Sequence, residues 1–532
     1  MAGKIYSYLS TLDNSNTSLN EFNIFDSDSY PLGQGYNRVA SSYGITYNPP
    51  AGTFTIDHTG SYFVAVTPFL SLNTGSGLIS DVVSRIKLNG TASVETKFRI
   101  SSNVPATGSG RTERTIHAIL KDLSVGDEIT VTVDDLDNLS PPLGELRSRP
   151  GSSIFIYRIE ADGGFGSYQI GDGTSPNVST QYNPFDGTQA PGSGATITRT
   201  LDDNNFIVQN AANSGSFKIN TGSLALYFTN VYSEVPGSGG PNVKHFYFKN
   251  KTQVGPDRNV KIFNTNDPME GTVMVMENYS ADDVVRTDVD SSTTSTIRSI
   301  SGSATSIFTL ASGTHHSYVT TQVNANDGVV NTYLNTFASS TYSNNGYDVI
   351  TSSHGIVYDS TLGRFTFTRD GDYAIFLSYL FLVSADTNTQ VRIRKDGSEE
   401  LFVFEQSADA SEDPVERSII AVVTGAVSGT YFDVSTRGIG AGAIRLRKGV
   451  TIASFEISGT FVIPPNFIPQ STPGSVFGKD YTINTYAQDV LSAQYSRALG
   501  APQVPFFLGT PGPASLRGRE NAPITSTGKK KN

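Results

Sequence analysis

The chain repeats itself, and that repetition limits its possible folds more than any other feature. One stretch reads Gly44-Ile-Thr-Tyr47, then Gly52-Thr-Phe54-Thr-Ile56, then Gly60-Ser-Tyr62. A second reads Gly355-Ile-Val-Tyr358, Gly363-Arg-Phe365-Thr-Phe367 and Gly371-Asp-Tyr373, in register with the first without a gap. A weaker third copy is Gly215-Ser-Phe217-Lys-Ile219, followed by Gly222 and Leu224–Phe228. All three share one grammar. Phe54 and Ile56, Phe217 and Ile219, and Phe365 and Phe367 alternate with polar residues, as on a strand with one face turned inward. A glycine turn follows, and then a second apolar strand at Tyr62–Val66, Leu224–Phe228 or Tyr373–Leu377.

The correspondence continues downstream. Arg85-Ile-Lys-Leu-Asn89-Gly90 matches Arg392-Ile-Arg-Lys-Asp396-Gly397, and Asn-Gly and Asp-Gly are strong hairpin signals. Gly126–Val133 reads as a further strand whose counterpart is Gly429–Val434, whereas the middle copy has no clear Gly-Asp strand. Closing strands are expected at Ser152–Ile159, Ser306–Leu310 and Val450–Ile457. Many short alternating strands separated by turns predict an all-β chain of sandwiches, with a repeat of about 150 residues. Each closing strand lies far in sequence from its expected central neighbours, as a jelly roll requires. The expected organisation is three tandem jelly-roll β-sandwiches at 31–162, 163–313 and 314–463. They follow an extended N-terminal segment, 1–30, and precede a mostly irregular C-terminal arm, 464–532.

The order Gly-x-Phe-x-Ile, Gly-x-Tyr, Ile-Lys-x-Asn-Gly, Gly-Asp-x-Ile-x-Val and Ser-Ser-Ile-Phe-Ile-Tyr-Arg-Ile resembles the globular heads of complement and tumour-necrosis-factor-like proteins. The match is good in the first copy, fair in the third and poor in the second. The resemblance implies ten-stranded jelly rolls that associate as trimers around a threefold axis. Three heads on one chain then allow two arrangements. One chain can imitate the trimer internally, or three chains can stack three trimeric layers into a rod. The expectation taken here is the homotrimeric rod.

The two ends differ from the middle. Residues 464–532 are proline-spaced and carry seven basic against three acidic side chains, in a chain whose net charge is −11. Within them Thr485 to Gln488 forms a capping box, and the spacing predicts one short helix over about 486–499, with Val490 and Leu491 on its apolar face. Val504, Phe506, Phe507 and Leu508 form an apolar patch, and Arg517, Arg519, Lys529, Lys530 and Lys531 add a basic end. These residues are the candidate partner-binding set, because a free tail has little reason to expose Phe506, Phe507 and Leu508 together. Residues 1–30 carry Ile5, Tyr6, Tyr8, Leu9, Phe22, Ile24 and Phe25, which fit either a second attachment segment or the lead-in strand of the first sandwich.

Signals for chemistry are sparse. The chain has no cysteine, so disulfides, cysteine-ligated metals and thiol nucleophiles are excluded. No apolar run approaches the ~20 residues of a membrane helix, and the first residues lack the apolar core of a secretory signal, so no membrane association is expected. The acidic balance argues against broad nucleic-acid binding. His315-His316 is the nearest thing to a metal pair, but adjacent strand residues face opposite ways, so a solvated linker is expected. Gly438-Ile-Gly-Ala-Gly442 lacks the βαβ context of a nucleotide loop. Asp134-Asp135 with Asp137, Asp202-Asp203 and Asp282-Asp283 offer oxygen ligands for Ca²⁺ without the spacing of a calcium loop. The expectation is therefore no enzyme, no cofactor and no metal site.

Tandem sandwiches, the lack of an export signal and of cysteine, and an arm suited to lying on a partner suggest a structural virion protein of a tailed bacteriophage. It would be assembled in the host cytoplasm and would decorate or cement the capsid or form a short head fibre or spike. Its expected partners are other virion proteins, such as the major capsid protein or a neighbouring structural protein. The alternative is a tail-fibre adhesin whose loops recognise host-surface glycan.

Overall fold

The structure, a computed structural model, describes residues 5–11, 21–30, 38–73, 79–101, 109–135, 146–160, 163–171, 180–187, 196–211, 214–234, 242–261, 269–291, 296–326, 328, 330–385, 387–408, 415–440 and 442–459. The described chain is all-β, built of antiparallel strands, with two short 3₁₀ turns at Ser27–Ser29 and Ser339–Tyr342. The expected helix at 486–499 and the candidate residues Val490, Leu491, Val504, Phe506, Phe507, Leu508, Arg517, Arg519, Lys529, Lys530 and Lys531 lie outside the described residues.

The sheets fall into three groups along the chain, each with an inner and an outer sheet of matching strand order, and the first group has a further three-stranded sheet, Ser109–Glu113, Phe69–Asn73, Leu146–Ser148. The first inner sheet runs Ile116–Leu123, Gly60–Thr67, Ser153–Arg158, Tyr6–Thr11, Arg38–Tyr43. The second runs Met269–Tyr279, Ser223–Glu234, Ala304–Thr309, Phe165–Ile170, Ile197–Leu201. The third runs Val415–Ala426, Gly371–Val383, Thr451–Gly459, His316–Thr321, Val349–His354. In each, the last strand of the unit sits between its first strand and the long apolar strand. Each outer sheet starts from the short hairpin that carries the sequence repeat, such as Ile45–Asn48 with Thr53–Ile56 and Ile356–Asp359 with Arg364–Phe367. Segment 1–30 supplies the lead-in strand. Tyr6–Thr11 lies between Ser153–Arg158 and Arg38–Tyr43, and all six of its residues are buried.

Local chemistry explains why the middle copy was hard to read. Its missing strand is Val284–Ser291. The turn before that strand needs a left-handed residue, and Asp282 (φ 71°) stands where Gly126 (φ 94°) and Gly429 (φ 95°) stand in the other units. The turn is otherwise conserved in its bonding. The backbone N–H of Ser124 donates to Asp127 (2.7 Å), that of Ser280 to Asp283 (2.8 Å), and that of Val427 to the Thr430 hydroxyl (3.2 Å). A further repeated device is an Asn-x-Phe turn. The Asn23, Asn183 and Asn335 side chains accept from the backbone of Phe25, Phe185 and Phe337 at 3.0, 2.9 and 3.2 Å. The same three amides also donate to backbone carbonyls beside the repeat glycines, those of Gly52, Gly215 and Leu362.

The inner sheets are buried on both faces. In the first unit Val64, Val66, Ile154 and Ile156 face the sandwich interior, while Phe63, Ala65, Phe155 and Tyr157 face a second core. That second core includes residues of all three units, among them Phe228, Phe308, Phe376 and Phe455. Residues Lys4–Gly459 accordingly form one compact unit. Within one chain the three sandwiches therefore stand side by side around a common centre. This corrects the expectation of end-to-end heads in a rod, because heads joined end to end could not bring the inner sheets of one chain face to face.

Candidate functional site

The common centre is the most organised feature of the described chain, and it is built from equivalent positions. Each closing strand places an aromatic at the same position, Tyr157, Phe308 and Phe455, and the first of these strands adds Phe155. The three equivalent aromatics pair with the first residues of the lead-in strands, Tyr6, Phe165 and His316. The three rings form a triad with centroid separations of 6.0, 5.8 and 6.5 Å. Phe63, Phe228 and Phe376, from the long apolar strands, form a second triad at 6.2, 5.7 and 6.1 Å. Edge-to-face and offset pairs at these distances each add about 0.5–1.5 kcal/mol beyond area burial.

The seams between units follow the same symmetry. Tyr8 of the first unit donates to the carbonyl of Ile420 in the third (3.4 Å), and Tyr318 of the third donates to the carbonyl of Met274 in the second (3.2 Å). Tyr8 and Tyr318 hold the same place on their lead-in strands, opposite Phe155 and Ala453. Burial raises both phenols far above their usual range, so they act as neutral donors.

Beside the aromatic triads lies a buried polar network that crosses all three units. The Asn230 amide donates to Glu270 and to Thr272 (2.9 Å), so its oxygen faces His117 and accepts from Nδ1 at 2.9 Å. His117 is thereby the Nδ1-protonated neutral tautomer. Burial pulls its pKa from 6.5 down to about 3. Glu270 also accepts from the Thr115 backbone at 3.0 Å. Burial drives the Glu270 carboxyl up to about 7, opposed by the charge of Arg114 and by the Thr115 hydrogen bond. Thr272 meets Ser418 of the third unit at 2.7 Å. There Arg258 of the second unit pairs with Glu416 at 2.6 Å, with side chains 5% and 0% exposed. Arg258 also donates to Thr451 (3.3 Å) and to Ser378, and Ser378 donates to Glu416 at 2.8 Å. Burial raises the Glu416 carboxyl, and the Arg258 charge acts against the rise.

Such a network contributes less to raw stability than an apolar core of the same volume would, but it makes wrong registers costly, because any slip strands a buried charge. Its arrangement suits positioning. The contacts that cross the seams are Arg258–Glu416, Thr272–Ser418, the Thr115 backbone to Glu270, and His117–Asn230. A small recess lined by His245, Tyr247, Arg258, Tyr318, Thr320 and Thr451 opens beside it.

The remaining sequence candidates are structural. His316 is buried in a strand opposite His354, with Nδ1 3.1 Å from the Thr314 carbonyl, which corrects its reading as part of a solvated linker. The adjacent His315 donates its backbone N–H to Glu456. Asp134 pairs with Arg85 (3.2 Å) and Asp282 with Lys218 (2.7 Å). Asp202 caps the backbone of Phe165 and Ile207, at 2.9 and 3.1 Å. Among the described residues no group of three or more His, Asp or Glu is placed to hold a metal ion. Sequence reasoning missed Glu270, Glu416 and His117; only His117, in Ile116-His-Ala-Ile-Leu120, carries the signal of a lone polar side chain inside an apolar strand run, whereas Glu416 and Glu270 stand close to other polar residues. Comparison with known proteins finds no matching protein-family profile and no similar curated protein.

Proposed function

We propose that this chain is a structural protein of a tailed-bacteriophage virion, decorating or cementing the shell or standing on it as a short head fibre or spike. One observation carries the reading: three sandwiches share a single aromatic and polar centre, which gives a stiff body whose interior groups serve contact. In this reading one chain alone supplies the threefold unit for which three chains were expected, and residues 464–532 tie it to neighbouring virion proteins. Apolar anchors such as Phe506, Phe507 and Leu508 would be buried against a partner, a common mode for extended arms. Placement on a particle requires no turnover, only contact area and rigidity.

The test is electron microscopy of purified virions labelled with antibody against residues 4–459. Label on the shell is the expected result. Label confined to the tail tip replaces this reading with the adhesin, and virions without label overturn both. Deleting residues 464–532 is expected to leave the melting temperature of the body unchanged and to abolish incorporation. Normal incorporation of the truncated chain removes the anchor role.

A further inference from the structure

A second recess, of about 60 Å³, lies at the seam of the second and third units, next to the buried Arg258–Glu416 pair. The second unit lines it with Asp257 and Asn259, the residues on either side of Arg258, and the third with Asn324, Leu380, Arg447 and Lys448. Leu380 is buried and is the cross-strand neighbour of Glu416, so the recess lies on the central face of the third inner sheet. Its polar groups are unevenly engaged. Lys448 pairs with Asp257. The Asn324 side-chain oxygen accepts from the Lys448 backbone N–H at 3.0 Å, which leaves the Asn324 NH₂ as a donor. The Arg447 backbone donates to the Leu380 carbonyl at 2.9 Å, but the Arg447 guanidinium has no hydrogen-bond or ion-pair partner among the described residues. The Asn259 amide likewise has none among them, and its oxygen is buried. Polar groups held out of solvent in this way carry a desolvation cost that only a partner offsets.

We infer that this recess binds a small monocarboxylate, held across the seam by Arg447 of the third unit and Asn259 of the second. A guanidinium presents a planar fork of N–H groups that meets a carboxylate with two parallel hydrogen bonds. The lining charges, Arg447 and Lys448 against Asp257, leave one positive charge, which a monoanion balances and a phosphate dianion overshoots. The Asn259 amide is held by no other group, so it turns its NH₂ to the same oxygens, and the Asn324 NH₂ adds a further donor. Leu380 supplies an apolar wall for a short carbon chain. The volume is several times the ~10–15 Å³ that one water needs and far below the ~300 Å³ of a site for a drug-sized molecule. Both units contribute to the recess, so the ligand binds only while the seam is closed and stabilises the body by mass action.

The site stands independently of the virion reading and is tested on the purified full-length chain. Binding of propionate is measured by saturation-transfer NMR at constant ionic strength, with acetate, chloride and phosphate as competitors, and the melting temperature is followed in parallel. The expected result is saturable binding that raises the melting temperature and is displaced by acetate, but not by equal concentrations of chloride or phosphate. Arg447→Gln should melt like wild type without propionate, because the guanidinium has no partner to lose, and should weaken binding about tenfold or more. Arg447→Lys keeps the charge without the fork and should fall in between. Asn259→Ala should weaken binding about threefold. Arg364→Gln changes an arginine that stacks on Tyr431 in the outer sheet of the third unit, and should bind like wild type. Absence of saturable binding overturns the inference, as does displacement by phosphate as effective as that by acetate. Binding reduced equally by Arg364→Gln, or wild-type binding in either Arg447→Gln or Asn259→Ala, overturns it as well; should Arg447→Gln fail to fold, Asn259→Ala decides alone.

Discussion

Removing one partner of the Arg258–Glu416 pair is the sharpest perturbation of the centre. The two side chains are 5% and 0% exposed and 2.6 Å apart, and they join the second unit to the third. In Glu416→Leu the guanidinium keeps Thr451 and Ser378 as hydrogen-bond partners and loses its counter-ion in a region with almost no solvent. An uncompensated buried charge of this kind costs about 3–5 kcal/mol. Arg258→Met strands the carboxylate instead, at a similar cost, partly relieved because a buried carboxyl can take up a proton. The double variant Arg258→Met, Glu416→Leu removes both charges and is expected to recover most of the loss, with a coupling of about 2–3 kcal/mol. Urea unfolding followed by near-ultraviolet circular dichroism measures all three. The single variants weaken one of the two seams that hold the third sandwich; the other, to the first unit, keeps the Tyr8–Ile420 and Phe155–Phe376 contacts. Single losses below about 1 kcal/mol, or a double variant that is merely additive, would refute the argument that this pair sets the register of the units.

Other expectations follow from the same centre. Phe376→Ala opens a cavity between Phe63, Phe228, Phe155 and Phe455, and should cost about 3–5 kcal/mol by urea denaturation. The pH profile of stability should have two limbs of opposite sign. His117 and His245 are held neutral with values near 3 against an ordinary 6.5, so the unfolded chain binds protons that the folded chain refuses. Their contribution is complete above pH 6.5 and is lost as pH falls towards 3. Glu270 acts the other way: its value is raised from 4.5 to about 7, so its contribution is complete below 4.5 and is lost as pH rises through 7. His117→Gln should flatten the acid limb and Glu270→Gln the limb near neutrality, as read from melting temperatures between pH 4 and 8. Unchanged profiles in both variants would remove these groups from the account.

Much of the strand plan was legible from particular residues. Phe54-Thr-Ile56 and Phe365-Thr-Phe367 alternate because one face of each outer sheet meets the sandwich interior. Asn89-Gly90 and Asp396-Gly397 mark hairpins because both positions need positive φ, and the structure places them at 49° and 79°, and at 49° and 73°. The middle unit hid its hairpin because Asn250 and Lys251, at 51° and 68°, fill those positions without glycine. The side-by-side arrangement also left a trace. Tyr373-Ala-Ile-Phe-Leu and Ile419-Ile-Ala-Val-Val423 do not alternate, and an unbroken apolar strand is one buried on both faces. The trace says that something covers the second face without saying what.

Sequence alone determined the strands, the turns and the threefold repetition, because these depend on periodicity and on backbone conformations that a few residue types enforce locally. Tertiary structure alone decided that the three sandwiches face one another. It brought Tyr157, Phe308 and Phe455 together from strands about 150 residues apart, and it set Arg258 against Glu416 and His117 against Asn230. Contacts of that kind depend on which surfaces meet after the sheets have formed, and no local rule along the chain encodes the choice of partner.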